Sequence, residues 1–303
     1  MDHRAFVRAL PDATRLALTA RSDRAGLAHL AVHLGAILVL GALIAAKVPL
    51  WWALMLPQGV LLVFLFTLLH ETVHETPFEA RWLNRWVGHA AGAVVLIPWT
   101  WFRAFHFAHH RHTQDPARDP ELAVPAPVTR AGHALRVSGL PVWWSLVTTL
   151  MRNAAGQCRD RFVPERQRRR VAGEARWMLA LYAAVAVASL AAGSTLALAV
   201  WLGPMLLGQP LLRLYLMAEH GRCAHVADMF ENTRTTFTGA LVRRLAWNMP
   251  FHAEHHAMPT VPFHRLPALH ALARAHLKET EDGYLAYHRR HLAALRAGGV
   301  VQD

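Results

Sequence analysis

The sequence has little cysteine and lacks the short motifs that hold an electron carrier. Cys158 and Cys223 are the only cysteines among 303 residues, too few for a disulfide framework or for an iron–sulfur cluster held by this chain alone. It also has no haem-attachment motif and no G-x-G-x-x-G nucleotide fingerprint. A reaction that consumes electrons would therefore need a separate redox protein.

Acidic residues are also scarce. There are 20 of them against 32 Lys and Arg, which gives a net charge of +12, and 54% of the chain is hydrophobic. In a soluble protein this charge would suggest nucleic acid as a partner. Because long apolar segments are present, we instead expect attraction to an anionic membrane surface, and no nucleic-acid partner.

The first 26 residues lack the apolar core of a cleavable secretory signal. They mix arginines with Leu, Val and Phe, so we expect an interfacial or cytosolic lead-in.

Four apolar segments have the length of a membrane-spanning helix, which needs about 20 residues. They cover residues 27–46, 49–69, 177–192 and 195–218. The apolar stretch 87–102 is shorter and contains Pro98, and we predict a re-entrant or interfacial helix there. Residues 139–151, with two tryptophans, also predict an interfacial helix.

The basic residues indicate the orientation of these spans. The turns near 46–49 and 192–194 contain one Lys and no Arg, whereas the loop 152–176 contains eight arginines. By the positive-inside rule, that loop and both termini lie in the cytoplasm. We therefore predict an all-α integral membrane protein with four transmembrane helices in two hairpins and a cytoplasmic helical cap. It would be a single domain over 1–303, with the lead-in at 1–26, the spans at 27–218 and the cap at 219–303.

Histidine is abundant, with 21 copies, and three stretches carry it at close spacing. The first reads H-x-x-x-H from His70, and the other two read H-x-x-H-H from His106 and from His252. Positions i, i+3 and i+4 share one face of a helix, so each stretch can direct its imidazoles at one point. Imidazole is a ligand for zinc, copper, iron and nickel.

The predicted topology brings all three stretches to the cytoplasmic face, where the fourth span also delivers His220. The predicted metal ligands are His70, His74, His106, His109, His110, His220, His252, His255 and His256. One metal uses about four ligands, so this number favours two ions. The sequence assigns no catalytic residue beyond them.

Other polar residues near these stretches are candidates for supporting roles. Metal-bound histidines usually donate their second N–H to a carboxylate, and the nearby carboxylates are those of Glu71, Glu75, Asp115, Asp119 and Glu254. Asn248 could hold a metal-bound water, and His29 and His33 could line the site. We interpret five histidines of the C-terminal segment as surface residues: His264, His270, His276, His288 and His291.

In this order, the three histidine stretches resemble the membrane fatty acid desaturase and hydroxylase superfamily. HHRHTQDP from His109 and NMPFHAEHH from Asn248 are similar to its bacterial members. The resemblance extends from the first span to about Leu269. It implies a membrane oxidoreductase with two non-haem iron ions, O2 as oxidant and a lipid or fatty-acyl substrate, most simply a fatty acid desaturase. It also implies a separate, ferredoxin-like electron donor, and a bacterial inner membrane with the active site on the cytoplasmic side.

Three alternatives remain open from the residues alone. A hydroxylase or carotenoid ketolase of the same superfamily would carry the same histidines. The stretch His70-Glu71-Thr72-Val73-His74 also matches the H-E-x-x-H pattern of a zinc protease. A metal transporter or sensor would need polar ligands in mid-span, whereas these histidines lie at span ends.

Overall fold

The computed structural model describes residues 1–296, except the side chain of Arg296, and the last seven residues of the predicted domain lie outside the described residues. The chain is helical, which confirms the predicted class. The α-helices are α1 His3–Ala9, α2 Asp12–Leu18, α3 Asp23–Ala45, α4 Trp51–Val63, α5 Leu65–Val73, α6 Arg81–Val95, α7 Trp99–His112, α8 Arg130–Ser138, α9 Leu140–Ala154, α10 Glu165–Ala191, α11 Gly203–His220, α12 Met229–Asn232, α13 Ala240–Leu245, α14 His252–Ala257, α15 Leu266–Ala273 and α16 Tyr284–Arg296.

Shorter elements complete the described chain. They are the 3-10 turns Pro120–Ala123 and Arg274–His276, the π-helical turn Leu198–Leu202, and two short parallel strands, β1 Thr235–Thr236 and β2 Thr280–Glu281.

Three helical segments are long and apolar enough to cross a membrane: Asp12–Ala45, Trp51–Val73 and Glu165–Ala191. They overlap most of the first three predicted spans, 27–46, 49–69 and 177–192, with bounds that differ by one or two residues at one end of each. The fourth predicted span, 195–218, is occupied by the π-helical turn and α11 and is not among them. Pro210 and Arg213 interrupt its apolar character.

α11 packs most extensively against α4, because glycines let the two backbones touch. A Cβ on Gly59 would lie 1.9 Å from the carbonyl oxygen of Pro204, and one on Gly208 would lie 2.4 Å from the carbonyl carbon of Gly59. Small residues at such a crossing allow the close approach that apolar helices use in membranes. The most extensive packing of α10, in contrast, is against α9, so the second predicted hairpin is not a closely packed pair.

The stretch 87–102 forms parts of two helices. Leu96 ends α6 in a left-handed conformation (φ 62°), and α7 begins after Pro98. The carboxylate of Glu174, on α10, accepts hydrogen bonds from the backbone N–H groups of Trp99 and Thr100, both at 2.8 Å. A carboxylate at a helix N-terminus satisfies free N–H groups and complements the helix dipole, so Glu174 anchors the start of α7.

Arg234 connects the C-terminal end of α11 to the following segment of the chain. Its buried guanidinium donates to the carbonyl oxygens of Ala218 and Gly221, each at 2.8 Å. It therefore ties the C-terminus of α11 to β1. Thr235 also bridges to Phe251, the residue before α14, so one short segment positions the ends of both helices.

Candidate metal centre

Four elements bring the nine predicted histidines to one place. They come from the C-terminal end of α5, the last two turns of α7, the end of α11 and the whole of α14. Six of them are buried, namely His70, His106, His109, His252, His255 and His256, and three are partly buried, namely His74, His110 and His220.

Five of the imidazoles form a first group, and their ring nitrogens all lie within 4.8 Å of one another. The group consists of His70, His74, His106, His110 and His255. The Nε2 atom of His106 lies 2.8 Å from that of His74 and 2.9 Å from that of His110. Three ring nitrogens that point at one another this closely cannot all be satisfied by hydrogen bonds among themselves.

A second group lies beside the first and consists of His109, His220 and His256, whose ring nitrogens are also within 4.8 Å of one another. The Nε2 atom of His220 lies 3.2 Å from that of His109 and 3.1 Å from that of His252. His252 therefore belongs at the edge of this second group. The rings of His110 and His256 stack at 4.0 Å, which joins the two groups.

The donor set fits metal ions. Both ring nitrogens of His70 and the Nε2 atom of His256 are buried without a hydrogen-bond partner in the described part of the chain. Buried polar atoms are normally paired, so unpaired ring nitrogens within a histidine cluster are suited to binding a cation.

Most of the imidazoles are also in the protonation state that a metal requires. Burial lowers the pKa of seven rings well below 6.5, and neighbouring imidazoles lower it further, in His74, His106, His110, His220, His252, His255 and His256. These rings are neutral at neutral pH, and neutral imidazole is the coordinating form.

Carboxylates lie beside the outer nitrogens of two rings, and one of these contacts is a hydrogen bond. The Nδ1 atom of His109 is hydrogen-bonded to Asp119 at 2.9 Å and lies 3.0 Å from Glu121. Burial alone would lower the pKa of His109, but the charge of Glu121 and the hydrogen bond and charge of Asp119 together raise it. On the opposite side, Glu219 lies 3.5 Å from the Nδ1 atom of His252. Such contacts orient a ligand ring and increase its basicity.

Hydrogen bonds of Glu254 stabilise the third histidine stretch. The buried carboxylate of Glu254 accepts hydrogen bonds from Thr235 and from the ring of His270. The sequence-based interpretation of His270 as an ordinary surface residue is therefore wrong. It is also wrong for His288 and His291, which are buried against the described core.

One carboxylate oxygen of Glu71 is engaged by groups outside the histidine cluster. Its carboxylate accepts hydrogen bonds from Thr76 at 3.0 Å and from the backbone N–H of Phe263 at 3.1 Å. A zinc protease needs this glutamate next to the metal-bound water. The geometry therefore argues against that alternative.

Several other candidates lie away from the cluster. Asn248 donates to the carbonyl oxygen of Phe263, and Asp115 pairs with the exposed Arg118. The Nε2 atoms of His29 and His33 donate hydrogen bonds to the carbonyl oxygens of Arg244 and Leu61, respectively. All these contacts are made with groups outside the nine histidines.

Sequence reasoning missed Glu121 and Glu219. Glu219 is adjacent to His220 in the chain, so its position in the sequence could have identified it as a candidate. Glu121 lies eleven residues beyond the second histidine stretch, and only the fold of the intervening loop brings it back to His109.

An apolar cavity of about 670 Å³ borders the centre between α7, α9 and α11. Phe102 lines it, and the ring of Phe102 stacks on that of His106 at 5.4 Å. A smaller cavity of about 300 Å³ shares Leu216 and Met217 with the first and reaches His220. The larger volume is in the usual range for a ligand pocket.

Three helical segments long and apolar enough to cross a membrane, together with a cluster of nine histidines, define a helical protein with a histidine-rich centre. Residues 47–290 match the family described as fatty acid desaturase. The chain belongs to that family, which confirms the resemblance seen in the histidine stretches. A search of curated proteins found no significant match.

Proposed function

We propose that this protein is a membrane enzyme that uses O2 to oxidise an aliphatic C–H bond of a fatty-acyl chain, with desaturation as the reaction. The observation that carries the proposal is the convergence of nine imidazoles in two adjoining groups beside an apolar cavity. Membership of the fatty acid desaturase family supports the lipid substrate and the oxidase chemistry.

The two groups of histidines would hold two iron ions. The first ion would be bound among His70, His74, His106, His110 and His255, and the second among His109, His220, His252 and His256. When bound, the irons supply the binding and reductive activation of O2. Asp119 would hold the ring of His109 in the orientation that coordination needs, and Glu219 lies beside the ring of His252.

The overall reaction consumes electrons from outside the chain. A saturated –CH2–CH2– unit, one O2, two electrons and two protons give –CH=CH– and two water molecules. Two hydrogen atoms leave the acyl chain, and O2 accepts four electrons in total. The donor of the two external electrons would be a separate ferredoxin-like protein.

The chain's own residues would place the acyl chain. Phe102, Leu212 and Leu216 give the larger cavity an apolar wall, which suits methylene groups and excludes water. Gln209 and Arg213 also line it, and each has a buried side-chain atom without a partner in the described chain. The Nε–H of Arg213 could donate to a carbonyl or an acidic head group, and the Oε1 atom of Gln209 could accept from an O–H or N–H of the head group. Arg213 precedes His220 by two turns, roughly 10 Å along the helix. With the head group at Arg213, a methylene in the interior of the acyl chain would therefore lie at the metal centre.

The membrane arrangement also remains a proposal. We propose four crossings, with 195–218 as the fourth, and a cytoplasmic active site in a bacterial inner membrane. The eight arginines in the loop 152–176 support this orientation.

The function can be tested by mass spectrometry of lipids from a host that expresses the intact protein. We expect a new alkene, two irons per chain, and complete loss of the product in the His109→Ala variant. His112→Ala is the matched control, because His112 lies in the same helix but outside the nine histidines, and it should keep the product.

The other outcomes are equally informative. An alcohol or ketone in place of the alkene would indicate a hydroxylase or ketolase. One zinc per chain would support a protease, and a product that survives His109→Ala would remove His109 from the centre.

A further inference from the structure

A basic cleft lies on the outer side of α7, the helix that carries the second histidine stretch. The cleft has a volume of about 810 Å³ and is formed by α7, the turn that follows it and the start of α10. Its cationic residues are Arg103, Arg111, Arg118, Arg161 and Arg166.

Most of the arginines that line the cleft are available for contact with another molecule. Arg111, Arg161 and Arg166 are exposed, and none forms an ion pair with another residue of the part of the chain that is described. Arg118 pairs with Asp115, and Arg103 lies 3.9 Å from Glu75. The cleft is therefore strongly electropositive and would attract an acidic surface.

The floor of the cleft is directly connected to the metal centre. Asp119 lines the cleft, is buried, and is hydrogen-bonded to the ring of His109 at 2.9 Å. One side chain and one hydrogen bond thus separate the cleft from a candidate iron ligand. A surface that only binds lipid would not require such a short path between the surface and a metal ligand.

We propose that this cleft docks an acidic, soluble iron–sulfur protein that delivers electrons to the centre. The inference rests on the proposed function, because only a redox reaction requires the donor. At each encounter, one reduced [2Fe–2S] cluster would lose one electron and one ferric ion would become ferrous. Two encounters supply the two external electrons of each turnover.

The cleft suits a protein better than a membrane surface. It is concave, and Phe107 and Phe162 lie among its arginines, as expected for an interface that combines charge with aromatic contacts. The exposed run Arg168–Arg170 lies outside the cleft and would serve for contact with anionic lipid.

The test measures reduction of the iron-loaded protein by a plant-type [2Fe–2S] ferredoxin, which is acidic, in anaerobic stopped-flow. The variant carries R111E, R161E and R166E together. We expect the rate of ferredoxin reoxidation to fall about tenfold or more, since electrostatic steering contributes rate factors of this size. Raising the salt concentration should slow the unaltered protein and bring the two rates together.

A matched control carries R4E, R8E and R24E, which make the same change of charge at exposed arginines of α1 and α3. We expect its rate to change by less than about twofold. Equal loss of rate in both triple variants would overturn the proposal, because overall charge and not the cleft would then control the reaction. An unchanged rate in the cleft variant would also overturn it.

Two further measurements separate the possible failures. Photoreduced deazaflavin, a small uncharged reductant, should reduce the iron equally well in all three proteins. If it finds no reducible iron in the unaltered protein, the proposed function fails. If the cleft variant loses only its binding to vesicles that contain phosphatidylglycerol and keeps its ferredoxin rate, the cleft is a lipid-binding surface and the docking proposal is wrong.

Discussion

His109 differs from the other imidazoles of the cluster because two carboxylates face its outer nitrogen. Asp119 and Glu121 lie 2.9 and 3.0 Å from its Nδ1 atom, and they raise its pKa in spite of burial. A ring held in this way is oriented with its Nε2 atom toward His220. At the scale of the residue, Asp119 is therefore the contact that most constrains a candidate ligand.

We predict that Asp119→Asn lowers the affinity for iron about 10- to 100-fold, the range seen when such outer contacts are removed. Ferrous iron retained per chain would be measured against a series of competing chelators. Asp115→Asn is the control, since Asp115 pairs with the exposed Arg118 and not with a histidine. Equal iron affinity in the two variants would show that Asp119 does not support the centre.

At the scale of the element, the crossing of α4 and α11 positions the ends of both helices. α4 continues through Phe64 into α5, which carries His70, and α11 ends at His220. The backbones meet at Gly59 and Gly208. Any change that separates the helices at this point would be transmitted to the histidines at their ends.

We predict that Gly59→Ala lowers the free energy of unfolding in detergent micelles by about 1 to 3 kcal/mol, the usual cost of overpacking. The reason is that its Cβ would lie 1.9 Å from the carbonyl oxygen of Pro204. Gly35→Ala is the control, because a Cβ there meets no atom within 4 Å, and better helix propensity should raise stability by up to about 1 kcal/mol. Equal stability of both variants would contradict the tight crossing.

At the scale of the whole molecule, burial makes stability depend on pH. The pKa of His291, on α16, is lowered to about 4 by burial, by His133 and by nearby arginines. An unfolded imidazole titrates near 6.5. Between these two values the unfolded chain binds a proton that the folded chain does not, so stability falls as pH decreases from about 6.5 to about 4.

We predict that His291→Leu removes roughly 1 to 3 kcal/mol of this pH dependence. Both ring nitrogens of His291 are buried without a partner in the described residues, so the apolar side chain should be tolerated at neutral pH. Denaturant unfolding between pH 7 and 4 would measure the effect, with His225→Leu as the control at an exposed position. An unchanged slope in His291→Leu would refute the assignment.

The sequence by itself determined the helical class, the family and the candidate ligands. Apolar length and the i, i+3, i+4 spacing of histidine are local properties of helices, so they can be read without a fold. The family match over 47–290 confirms the resemblance that the histidine stretches indicated. That the nine histidines bind iron stays a prediction.

Only the tertiary structure decided which groups surround those histidines. Glu121 and Glu219 reach the centre through a loop and a helix end, and His270 contacts Glu254 in the third histidine stretch. Asn248 and Asp115 instead contact other partners. The burial of His291 was equally invisible in the sequence. These contacts depend on packing between segments far apart in the chain, and no local periodicity encodes such packing.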